Sequence, residues 1–252
     1  MATEDPNTTL GRNRTGLAMS PLHAEMLTGV TSDEAEDAAT APDPNPETTQ
    51  IAELRAQYVS QADALGSIPP PTTLKGMAKS GGGAIKNQRM HVFIDKLAER
   101  LAYERGGTRL YDAALVKVIA LAAGTPVKLE RVKEIRNQEI EHAGILQQAI
   151  VDLGADPTAQ TPCADLVGVQ TMGLMQSVTD PRTSLVQTLS SLLAAELVDV
   201  ASWELLSRLA RDLGQDVLAE KFEHALNQEN QHLVTISRWY EALISAESRL
   251  VS

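Results

Sequence analysis

A chain of 252 residues with a formal charge of −11 is long enough for one large domain or two small ones, and no basic face advertises nucleic-acid binding. Its single cysteine, Cys163, excludes an internal disulfide framework and any four-cysteine metal centre. Aromatics are only 3% of the residues while Ala, Leu, Glu and Gln are plentiful, a composition suited to helical bundles.

Residues 1–49 carry nine acids against Arg12 and Arg14, with little to bury, and read as a disordered acidic tail. Within it the basic and apolar stretch from Gly11 to Leu22 is a candidate docking peptide for a protein partner. The opening Met-Ala-Thr-Glu-Asp lacks a basic region followed by an apolar run, so no signal peptide is expected. The apolar stretch Ala113–Ala123 is interrupted by Lys117 and too short for a bilayer. A cytoplasmic protein without a membrane partner is the expectation.

Residues 50–88 read as a short amphipathic helix (Ile51, Leu54, Tyr58, Leu65) followed by a linker of Pro69-Pro70-Pro71 and Gly81-Gly82-Gly83. No Gly-Lys-Ser/Thr follows the glycines, so they do not form a phosphate-binding loop. Residues 89–248 carry four long helical patterns. The first covers about 90–123. The second starts at the capping pair Thr125-Pro126 and ends near Gly154, and the third runs from Asp180-Pro181 to Gly214. The fourth covers about 216–247. Residues 155–182, with the apolar segment Leu166–Val178, form a long crossover between the second and third helices. The fold class is all-α, a four-helix bundle.

Each long helix carries one glutamate with apolar residues seven positions before and after it, hence on the same face. Glu104 lies between Leu97 and Tyr111, Glu139 between Val132 and Leu146, Glu196 between Leu189 and Trp203, and Glu229 between Phe222 and Ile236. Glu139 and Glu229 also belong to a repeated motif, Asn-Gln-Glu-x-x-His, at residues 137–142 and 227–232. Three positions is close to one turn, so His142 and His232 share a face with their glutamates. Carboxylates in a dry core are costly alone and repel together. No Arg or Lys is expected on the stripes beside them, and two divalent cations would cancel four negative charges. One glutamate from each of two helices plus Glu-x-x-His from the other two is a dimetal-carboxylate ligand set. Such oxygen and imidazole ligands suit iron, manganese or zinc.

On these residues the chain resembles the ferritin-like superfamily, with rubrerythrin and bacterioferritin among its members, over residues 90–245. The resemblance implies a ferritin-like bundle holding two iron ions, with Glu139 and Glu229 bridging them and Glu104 and Glu196 as terminal ligands. It gives Glu139 and Glu229 as the candidate catalytic residues. With one cysteine there is no rubredoxin-type electron-transfer module.

The expected partners are dioxygen or peroxide, in iron(II) oxidation or peroxide reduction, and assembly into a homo-oligomer is open. Manganese would use the same ligand types. A hydroxylase or oxidase of a small organic molecule would need a pocket beside the metals, which Gly106, Gly107 and Thr108 could open. A metal-stabilised, non-enzymatic interaction protein is the third use. Tyr111 and Trp203 are candidates to tune the centre or to fill the core. Asp199 is either an acceptor for the free N–H of a ligating histidine or an exposed surface residue.

Overall fold

The computed structural model describes residues 50–62 and 84–250. The acidic tail and the proline and glycine linker motifs lie outside the described residues. The chain divides into two compact units, Met1–Ala64 and Leu65–Ser252. In the first, the amphipathic pattern forms helix α1, Gln50–Gln61.

The second unit contains α2 (Ala84–Leu121), α3 (Leu129–Asp152), α4 (Pro162–Gln170), α5 (Met172–Thr179), α6 (Leu185–Asp212) and α7 (Asp216–Leu250). The described residues contain no strand. Short loops make α2 and α3, and α6 and α7, antiparallel pairs. Contacts of Glu104 with Trp203 and of Tyr111 with Glu196 run α2 antiparallel to α6. Contacts of His142 with Gln228 and of Gln138 with His232 do the same for α3 and α7. Helices α3 and α6 therefore point the same way, and the chain must travel the length of the bundle between them. Helices α4 and α5 make that crossing, packed on α2, with α5 also against α6.

Glycines close three of these helices with positive φ: Gly124, Gly154 and Gly214. At Gly154 and Gly214 the next amide reaches back as well, Ala155 N–H to Ile150 O (3.0 Å) and Gln215 N–H to Ala210 O (2.8 Å), the Schellman arrangement. The helix starts differ from the proline-based expectation. Helix α3 begins at Leu129, because the Thr125 hydroxyl donates to Ala122 O (2.8 Å) and closes a turn instead of capping. Helix α6 begins at Leu185, capped by Ser184 in a capping box with Gln187. Asp180 is occupied by the Arg182 amide and guanidinium.

The core falls into two apolar clusters. One gathers Phe93, Leu97, Leu146, Ile150, Leu206 and Phe222; the other gathers Leu110, Val132, Ile135, Leu189, Leu192 and Ile236. Along every long helix the paired glutamate lies between the residues of one cluster and those of the other. All eight heptad neighbours named from sequence are buried, Leu97, Val132, Leu146, Trp203, Phe222 and Ile236 completely. Among the described residues α6 alone is long and apolar enough to cross a membrane by length and composition (mean hydropathy 1.3), but 44% of that window is buried. It is also the helix that carries Glu196 and Asp199 into the core.

Candidate metal centre

Glu104, Glu139, His142, Glu196, Glu229 and His232 are all at most 1% exposed, and they meet in one layer between the two apolar clusters. They form two groups whose ligand atoms lie within 4.8 Å of one another: Glu104, Glu139, His142 and Glu229, and Glu139, Glu196, Glu229 and His232. Glu139 and Glu229 are common to both.

Glu104 and Glu196 are each held by one oxygen and leave the other facing inward. Trp203 Nε1 donates to Glu104 Oε1 at 2.8 Å, and Arg100 Nε lies 3.0 Å from the same oxygen. Across the site the Tyr111 hydroxyl donates to Glu196 Oε1. Glu104 Oε2 and Glu196 Oε2 are buried without a hydrogen-bond donor, as are both oxygens of Glu139. The two aromatics thus both fill core volume and anchor carboxylates, each reaching the glutamate of the opposite helix.

The imidazoles are anchored crosswise too. His142 Nε2 lies 2.9 Å from Gln228 Oε1, and His232 Nε2 lies 2.8 Å from Gln138 Oε1. With each amide turned so that its oxygen faces the ring, Nε2–H must donate, and Nδ1 is left to face the cluster. His142 Nδ1 is 2.7 Å from Glu229 Oε1, and His232 Nδ1 is 3.1 Å from Glu229 Oε2. A ring nitrogen lone pair and a carboxylate oxygen cannot sit that close without a cation between them. A proton or a metal ion would serve. The glutamine of each Asn-Gln-Glu-x-x-His repeat therefore serves the histidine of the other repeat. Sequence reasoning missed this role, although the duplicated Asn-Gln was its signal.

Two expectations need correction. A cation does lie beside the glutamates: Arg100, one turn before Glu104, is 2% exposed. It lies four residues before Glu104, so a comparison of positions seven residues from each glutamate does not reach it. Asp199 does not accept from a ligating histidine. It is 2% exposed, and its Oδ1 lies 2.5 Å from Arg100 Nη2. Taken with every carboxylate ionised, four glutamates and Asp199 against Arg100 leave four negative charges. Two divalent cations would cancel that charge, so the donor set still fits a dimetal centre.

Electrostatics agree. Burial pushes Glu104, Glu139 and Glu196 above the usual carboxylate range, and their charged neighbours push Glu139 and Glu196 further. Burial acts upward on Glu229 as well, but hydrogen bonds from the two imidazoles bring it down to about 2. Burial would lower His142, yet Glu229 raises it, whereas for His232 burial prevails and the shift is downward.

Gly107 makes room for the centre: a Cβ there would stand 2.5 Å from Glu139 Oε2. Gly106 and Gly107 also line a cleft of ≈ 230 Å³ between α2, α5 and α6. Thr108 is not among its lining residues; its hydroxyl bonds back to Glu104 O at 3.0 Å. Comparison with family models, curated proteins and solved structures gave no match.

Proposed function

We propose that this chain is a dimetal carboxylate protein of the ferritin-like kind, binding two iron ions and reacting with dioxygen or peroxide. The observation that carries this proposal is the pair of four-residue ligand groups sharing Glu139 and Glu229, sealed in a layer with four uncancelled negative charges. In this proposal Glu139 and Glu229, common to both groups, would serve both ions and be the catalytic pair, Glu104 and Glu196 would each serve one, and His142 and His232 would bind through Nδ1. When bound, iron supplies the electrons that reduce dioxygen or peroxide. Manganese fits the same donors.

The protein residues do the rest. Trp203, Tyr111 and the two glutamines fix the orientation of four ligands, so little rearrangement is needed on binding. The apolar clusters on either side keep bulk water from the centre. Iron(II) oxidation or peroxide reduction needs the fewest additional features. The cleft at Gly106 and Gly107 favours a second use, oxidation of a small organic molecule.

The test is addition of iron(II) to metal-free protein in air, followed by near-ultraviolet absorbance and an oxygen electrode. Rapid oxidation in the natural protein, reduced to the rate of buffer in Glu139→Ala and in Glu229→Ala, is expected. Equal rates in all three would refute the assignment. Dioxygen consumption linked to iron alone supports the first use, and consumption that rises only with an organic additive supports the second.

A further inference from the structure

We propose that the cleft between α2, α5 and α6 binds a small molecule with an apolar body and an anionic end, chemically a short aliphatic or aryl carboxylate. This rests on the proposed dimetal centre only for the role of Glu139. The cleft is walled by Leu110, Met172, Leu174, Met175 and Ala195. Its ≈ 230 Å³ exceeds the roughly 150 Å³ in which a dry cavity holds benzene. It falls short of the roughly 300–1,000 Å³ of drug-sized ligand sites, so the occupant is small. Arg109, exposed at the lining, has no ion-pair partner among the described residues and supplies the one cation there. Gly107 lines the cleft and has Glu139 Oε2 where its own side chain would be, so the apolar body would lie beside that carboxylate.

The chain's own duplication supplies a control. Position 104 corresponds to 196 and 111 to 203, as their crossed hydrogen bonds show. By the same correspondence Gly106 matches Val198, Gly107 matches Asp199, and Leu110 matches Ser202. The matching hollow, lined by Arg100, Tyr103, Val198 and Ser202, holds only ≈ 40 Å³. On that side Asp199 and Arg100 form a buried ion pair beside Val198; on this side Gly106 carries no side chain, and Glu139 Oε2 takes the place a Gly107 side chain would fill. The larger hollow thus lies on one side only of the duplicated pair, with Gly107 between it and Glu139.

Isothermal titration of octanoate into the protein as purified tests this, with octanol and octylamine as companions and metal content measured alongside. One octanoate per chain is expected, with octanol weaker by roughly three- to fivefold and octylammonium weaker still. A Cβ at 106 would make only ordinary contact with Thr171 (3.8 Å), and leucine is the better helix former, so Gly106→Leu should fold and fill the cleft. It should weaken octanoate more than about tenfold with metal content unchanged. Arg109→Gln, at an exposed position, should bring octanoate to the level of octanol. Absence of saturable octanoate binding, indifference to Gly106→Leu, or equal binding of octanoate and octylammonium would each overturn the proposal. Metal without octanoate binding removes the cleft and leaves the centre. Octanoate binding without metal removes the centre and leaves the cleft.

Discussion

At the level of single residues, four of the six clustered side chains, Glu104, Glu196, His142 and His232, have an anchor on another helix. Gln138 and Gln228 offer neutral carbonyl oxygens to the histidines, which fixes the ring orientation without adding charge to a layer already too negative. Gln228→Leu removes the acceptor for His142 Nε2–H, and we expect metal affinity to fall by about 10–100-fold while the helical circular dichroism is unchanged. Glu139→Gln should have opposite effects on binding and folding. It removes a buried carboxyl whose ionisation burial and its acidic neighbours make costly, at nearly constant volume, so denaturation of the metal-free variant at neutral pH should show a gain of about 1–3 kcal/mol, with loss of metal. The convergence of the six side chains was legible in sequence because a buried carboxylate leaves a heptad trace, polar amid apolar neighbours, and each histidine sits one turn from such a glutamate. Asp199 leaves the same trace, between Leu192 and Leu206, but a search confined to glutamates passes over it; Arg100, between Phe93 and Gly107, leaves a weaker one, and neither position is repeated in the other half of the chain.

At the level of helices, the long stretches announced themselves by periodicity, and their ends at Gly154 and Gly214 were legible because only glycine takes the left-handed cap cheaply. The starts were not. Both Thr125-Pro126 and Asp180-Pro181 look like caps, but their side chains satisfy turns a few residues upstream of the real N-termini. The capping box of Ser184 and Gln187 is the actual start of α6, the helix that delivers Glu196. Ser184→Ala should cost about 1 kcal/mol in chemical denaturation. A null effect would show that packing alone sets this end.

Across the whole molecule, the bundle is a repeated helical hairpin joined by a crossover, with its polar layer sealed between two apolar clusters. That arrangement makes the metal-free protein sensitive to pH. Burial raises Glu104, Glu139 and Glu196 above their unfolded values. Groups raised on folding favour the folded state below the unfolded pKa, and that stability is lost as pH rises through the folded pKa. The metal-free melting temperature should therefore fall as pH rises above about 4.5, while cation binding, which displaces those protons, strengthens over the same range. The gap in melting temperature between loaded and metal-free protein should widen with pH. A constant gap would mean that the glutamates stay ionised without metal.

The most direct measurement is metal analysis with anomalous diffraction on protein purified without added metal. We expect two ions per chain, both among Glu104, Glu139, His142, Glu196, Glu229 and His232, and neither in a Glu139→Ala, Glu229→Ala double variant. An empty layer with those six side chains in place, after iron has been supplied, would contradict the account.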